Sequence, residues 1–121
     1  MSRQDAHERA TVLVVDDDRA LRTLAATALR GAGYRVITAA DGAEALHALD
    51  GTRVELIVSD VAMPGLDGRE LGHALWERRH HIPILFMSAH PQNPALLPGA
   101  FLPKPFRFDD LISRVRELLA R

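Results

Sequence analysis

Residues 11–21 read TVLVVDDDRAL: four aliphatic side chains run straight into three aspartates, and an apolar periodicity then resumes. A continuous, β-branched run bounded by charge is the pattern of a strand buried on both faces. Leu21, Leu24, Ala25, Ala28 and Leu29 follow at helical spacing and are ended by Gly31 and Gly33. The stretch therefore opens a β-α pair with its like charges gathered at the junction.

The same unit repeats outward along the chain. Tyr34–Thr38 is a second β-rich run, and Asp41 with Glu44 makes a capping box for a helix carrying Ala45, Leu46 and Leu49. Val54–Ser59 predicts a third strand, ending at Asp60. After a loop with Met63, Pro64 and Gly65, Asp67 and Glu70 repeat the capping spacing ahead of Leu71, Ala74 and Leu75. Ile82–Ser88 and Phe101–Pro103 predict the fourth and fifth strands, and Leu111, Ile112, Val115, Leu118 and Leu119 a final amphipathic helix. Such alternation implies an α/β fold, a mostly parallel sheet covered on both faces with right-handed crossovers. The 121 residues hold one such domain, 11–121, after a polar leader, 1–10, expected to be flexible.

Composition excludes several classes of function. Fifteen basic against 16 acidic residues leave a net charge of −1, with no electrostatic reason to bind nucleic acid directly. The absence of cysteine removes disulfide scaffolds, cysteine-ligated zinc and thiol catalysis. Apolar runs fall far short of the roughly 20 residues that span a bilayer, and MSRQDAHER at the start lacks a signal-peptide core, so a cytoplasmic protein without membrane contact is expected. His80 and His81, adjacent at the expected end of the third helix, point in different directions and suit a helix C-terminus better than a shared metal. His47 and His73 read as exposed helix positions, and the mixed charge of the last helix as a solvated face.

In open α/β sheets the ligand crevice lies beyond the carboxyl ends of the strands. Asp16, Asp17, Asp60 and Ser88 all fall at such ends, and Lys104 follows the fifth. In a flavodoxin-like order 2-1-3-4-5, strands one and three are neighbours and their aspartates converge. Two like charges 4 Å apart cost about 4 kcal/mol at an effective dielectric near 20, so the cluster needs a counterion. A hard divalent cation such as Mg²⁺ suits carboxylate ligands, Lys104 adds a second positive charge, and one carboxylate is then placed to attack phosphorus. Asp18 reads instead as the cap of the first helix.

VLVVDDD at 12–18, SDVAMPGLDG at 59–68, FMSA at 86–89 and KPF at 104–106, in this order and spacing, resemble the response regulator receiver domain over residues 11–120. The resemblance implies a doubly wound, flavodoxin-like (βα)5 sandwich and a phosphoacceptor signalling domain rather than an enzyme with turnover. It implies that Asp60 accepts a phosphoryl group from a histidine kinase or histidine phosphotransfer protein, with a downstream protein as target. Asp16, Asp17, Asp60 and the Ala62 carbonyl would hold Mg²⁺, Ser88 and Lys104 would contact the phosphoryl oxygens, and Ser88 with Phe101 would form the switch. Ala62 and His90 would tune how fast the group is lost, and the Lys104–Pro105 peptide would be cis. The chain would be a stand-alone regulator or the receiver of a hybrid histidine kinase.

Ala89–Gly99 departs from that pattern. Eleven residues with Pro91, Pro94 and Pro98 leave no room for a full fourth helix, and one turn at most, Pro94–Leu97, is expected. Phe101 also stands where a tyrosine is frequent, so a switch there would depend on burial. Two other classes compete. A phosphohydrolase with an aspartate nucleophile would carry it after the first strand in a DxD arrangement and add a cap domain. A pseudo-receiver would bind partners without being phosphorylated, although here every reactive position is filled.

Overall fold

The computed structural model describes residues 10–78, 80–90, 92–93, 97 and 99–121. Its elements are β1 (Thr11–Val15), α1 (Arg19–Gly31), β2 (Arg35–Ala39), α2 (Gly42–Gly51), β3 (Leu56–Asp60), α3 (Gly68–Glu77), β4 (Ile84–Ser88), β5 (Ala100–Pro103) and α4 (Phe108–Leu119). The sheet is parallel throughout in the order β2-β1-β3-β4-β5, the order expected of a flavodoxin-like fold.

Both faces of the central strands are dry, which accounts for their uninterrupted apolar sequence. Val12 and Val14 of β1 enter one core with Ala25 and Leu29 of α1 and Leu111 and Val115 of α4. Leu13 and Val15 enter a second core with Ala45 and Leu49 of α2 and Leu71 and Leu75 of α3. Period-two alternation thus divides each strand between two layers, and each buried aliphatic side chain contributes roughly 1.5–3 kcal/mol.

Local chemistry sets the element ends. Asp18 accepts from Leu21 N at 3.2 Å and caps α1 as expected. Gly33, at φ 103°, closes that helix: its N–H reaches Arg30 O at 3.0 Å while Tyr34 N reaches Leu29 O at 3.2 Å, a Schellman ending that only a residue free to adopt positive φ makes cheaply. Several boundaries differ from expectation, the second strand running over Arg35–Ala39 and not Tyr34–Thr38 and the fifth starting at Ala100 and not Phe101. The third strand begins at Leu56, where pairing with Val12 starts, and not at Val54. The fourth begins at Ile84 and not at Ile82, since Pro83 has no N–H, although its carbonyl still accepts from Ile57 N at 3.0 Å. Finally, α3 ends at Glu77, so His80 and His81 lie beyond the helix and not in its last turn.

Among the described residues no helix lies between β4 and β5, in accord with the short connection. The single turn expected at 94–97 falls outside the described residues except for Leu97, which is buried against the α2/α3 core. The leader expected at 1–10 falls outside them except for Ala10. Gly99 runs so close to the Ile84 carbonyl that any Cβ would collide with it, which lets the shortened chain enter β5.

Candidate functional site

Strand register assembles the site. In the parallel β1/β3 pair Val15 lies opposite Ser59, so the next step of each strand carries Asp16 and Asp60. Ser88 lies opposite Pro103 in the β4/β5 pair, and Lys104, the next residue, donates its backbone N–H to Ser88 O at 2.8 Å. The four residues therefore gather at one sheet edge, Asp60 and Ser88 as the last residues of β3 and β4 and Asp16 and Lys104 just past β1 and β5. The Lys104–Pro105 peptide is cis.

Carboxylate oxygens of Asp16, Asp17 and Asp60 lie within 4.8 Å of one another. Asp16 is fully buried and Asp60 nearly so, while Asp17 is exposed. Lys104 Nζ donates to Asp60 Oδ2 at 2.7 Å and to Asp16 Oδ2 at 3.2 Å, bridging the two buried acids. The remaining oxygens are held by the backbone: Asp18 N donates to Asp16 Oδ1 at 2.8 Å and Ala62 N to Asp60 Oδ1 at 3.0 Å. Burial pushes the Asp16 carboxyl above its ordinary pKa, opposed by the Asp18 N–H and the Lys104 charge. Burial works against the Lys104 ammonium as well, but its hydrogen bond to Asp60 and the attraction of both carboxylates prevail and raise its pKa.

The donor chemistry fits a hard divalent cation. Three carboxylates, one open to solvent and two desolvated, form an all-oxygen set of the kind Mg²⁺ takes together with water and phosphate oxygens. A single ammonium balances only one of the charges gathered there, so a cation at Asp17 and its neighbours relieves the remaining repulsion.

Around this centre, Ala62 is exposed on the loop after Asp60, and His90 is exposed just past β4, where its backbone N–H reaches Ser88 Oγ at 3.0 Å. Phe101 is half-buried beside the α2/α3 core. The start of α3 abuts the backbone at Asp60 and Val61: Gly68 N donates to Val61 O at 2.9 Å, and a Cβ on Gly68 would sit 2.5 Å from Asp60 O. Two neighbours were not foreseen from sequence. Arg22 Nη1 donates to Asp16 O at 2.8 Å and pins the aspartate loop, for which a basic residue in the first turns after DDD was the available sign. Gln92 Nε2 reaches Ser88 Oγ at 3.4 Å, across a connection whose path no periodicity announces.

A separate groove of about 660 Å³, lined by Arg69, Trp76, His81 and Ile82 among others, shares none of the carboxylates. Among the described residues the grouping of three or more acidic or histidine side chains placed to hold a metal is the aspartate cluster.

A response regulator receiver domain family model matches residues 12–116. Curated relatives include the DNA-binding transcriptional regulator NtrC of Escherichia coli K12, 37% identical over 93% of this chain and 25% of its own length. Response regulator MprA of Mycobacterium sp. strain KMS is 40% identical over 91% of this chain and 50% of its own. The chain thus spans between a quarter and a half of these relatives. Among solved structures, the Francisella response regulator 1452 receiver domain superposes with a TM-score of 0.85 at 32% identity, covering 93% of this chain and 98% of that one. The receiver domain of the hybrid histidine kinase CckA gives 0.76 at 37% identity over 91% and 99%. The fold, the acidic edge and these likenesses converge: the chain belongs to the response regulator receiver domain family.

Proposed function

We propose that this receiver takes a phosphoryl group onto Asp60 from a phosphohistidine of a histidine kinase or histidine phosphotransfer protein. The observation that carries the reading is the Lys104 ammonium bridging Asp60 and Asp16 at 2.7 and 3.2 Å within a three-carboxylate cluster. An Asp60 oxygen forms the new O–P bond as the N–P bond to the partner's imidazole breaks and its electron pair returns to the ring. Asp16, Asp17, Asp60 and the Ala62 carbonyl hold Mg²⁺, which when bound supplies positive charge against the transferred oxygens. Lys104 and the Ser88 hydroxyl hold the same oxygens from the protein side.

The group stays on the protein and acts as a signal. Movement of Ser88 toward it lets half-buried Phe101 repack, which alters a surface read by a downstream protein. Ala62 has no side chain to position a hydrolytic water, and with His90 it sets how long the phosphoryl group lasts. The two likenesses to regulators and to a hybrid-kinase receiver fit either a separate regulator or a receiver within a kinase. Near-neutral net charge supports protein partners over nucleic acid, met in a cytoplasmic setting; no helix among the described residues is long and apolar enough to cross a membrane.

Incubation with Mg²⁺ and acetyl phosphate, followed by intact mass, tests the assignment. One phosphoryl group per chain is expected, and none in Asp60→Ala. Label retained in that variant overturns Asp60 as acceptor, an unlabelled wild type favours a pseudo-receiver, and continuing phosphate release from a generic phosphomonoester favours a hydrolase.

A further inference from the structure

Ser88 Oγ accepts from two donors, His90 N at 3.0 Å and Gln92 Nε2 at 3.4 Å. A hydroxyl has two lone pairs and one proton. With both lone pairs engaged, the proton is what Ser88 retains for a new partner, and it is the part that a phosphoryl oxygen requires. Gln92 is tied at each polar atom of its amide. Nε2 also reaches His90 O at 3.4 Å, and Oε1 accepts from Arg69 Nη2 at 2.9 Å. This network fixes which way the amide faces, nitrogen toward Ser88 and oxygen toward Arg69. Arg69 directly follows Gly68, the residue whose Cα abuts the Asp60 carbonyl. Three side chains therefore link the helix start behind the acceptor to the hydroxyl at the end of the neighbouring strand.

We propose that Gln92 is a positioning residue of the phosphoryl site, acting through Ser88. Held by Arg69, it fills the second lone pair of the hydroxyl, so that the O–H is turned toward the transferring group before that group arrives. His90 contributes only a backbone N–H, which any non-proline residue supplies, whereas the second donor depends on the side chain at 92. The inference rests on Asp60 being the acceptor and adds a residue that the acidic cluster does not contain.

The test is the rate of Asp60 labelling by acetyl phosphate with Mg²⁺ in the wild type, Gln92→Ala, Gln92→Glu, Ser88→Ala and the Gln92→Ala/Ser88→Ala double variant. Gln92→Ala is expected to slow labelling by about two- to tenfold, the rate equivalent of one neutral hydrogen bond, at unchanged Mg²⁺ affinity. Gln92→Glu keeps an acceptor for Arg69 but loses the donor to Ser88, and should be slowed as much. In the Ser88→Ala background Gln92→Ala should have no further effect, a coupling that a merely structural role would not produce. A wild-type rate in Gln92→Ala or Gln92→Glu, or the same slowing with and without Ser88, overturns the proposal. An unlabelled wild type instead overturns the acceptor reading, and this inference with it.

Discussion

Lys104 Nζ lies 2.7 Å from Asp60 Oδ2, joining two positions 44 residues apart in an ion pair whose side chains are 18% and 12% exposed. A second bond at 3.2 Å ties the same ammonium to wholly buried Asp16, so one cation separates two carboxylates. Lys104→Ala leaves those acids facing each other and should cost about 1–3 kcal/mol in the presence of EDTA, since the pair sits near enough to solvent for water to relieve part of the repulsion. Saturating Mg²⁺ should then raise the thermal midpoint more in the variant than in the wild type, because the metal takes over the missing charge. Equal Mg²⁺-induced shifts in both proteins would show that ammonium and metal do not share this task.

Asp17 is the exposed member of the cluster and makes no ion pair with Lys104 among the described contacts. Its removal by Asp17→Ala should therefore change folding stability by no more than about 0.5 kcal/mol. Mg²⁺ affinity, measured by calorimetry, should fall at least about tenfold, in line with the loss of a charged ligand. Unchanged affinity would mean that the three consecutive aspartates divide their work differently, with Asp17 a solvated turn residue.

Gly68 and Gly51 make a matched contrast. A Cβ at 68 would lie 2.5 Å from Asp60 O and 3.1 Å from Phe86 Cε1, whereas nothing lies within 4 Å of one at 51. Gly68→Ala should destabilise by about 1–3 kcal/mol through overpacking and slow Asp60 labelling as the backbone at Asp60 shifts. Gly51→Ala should be neutral or stabilising by up to about 1 kcal/mol, since alanine loses less backbone entropy in a helix. Urea unfolding of both, with labelling rates, gives the comparison.

How far the sequence discloses this site depends on which interactions are local. Val12–Val15 and Ile84–Met87 declare themselves because a strand buried on two faces needs an apolar residue at every position, and the aspartates stand out as the point where the apolar run stops although Asp16 and Asp60 are still buried. Once the strand order is known, parallel register brings Asp16, Asp60, Ser88 and Lys104 to one edge without further information. Arg22 and Gln92 lie only six and four residues from their targets, yet the sequence shows no more than a basic residue after DDD and an amide in the connection, because the rotamer that brings each long side chain back to 16 or 88 is chosen by the packing around it. The early strand starts assigned to Val54 and Ile82 fail for a related reason: apolar character marks burial, but the ladder begins only where a neighbour is in register.

The two capping sequences make the same point in a form that stability can read. Asp41 and Asp67 have glutamates at identical spacing, and each accepts from the N3 backbone, at 2.8 Å from Glu44 and 2.9 Å from Glu70. The return bond closes only at the second, where Asp67 N donates to Glu70 Oε1 at 3.3 Å. Asp41→Ala and Asp67→Ala should then each cost about 0.5–2 kcal/mol, the usual loss of an N-cap. The glutamates should separate: Glu44→Ala should lose only its interaction with the helix dipole, about 0.3–0.5 kcal/mol, while Glu70→Ala should lose that and a hydrogen bond, about 1 kcal/mol or more in all. Urea midpoints of the four variants decide it. Equal costs at Glu44 and Glu70 would mean that the reciprocal bond is absent in solution or present in both helices, and that identical spacing does after all specify identical caps.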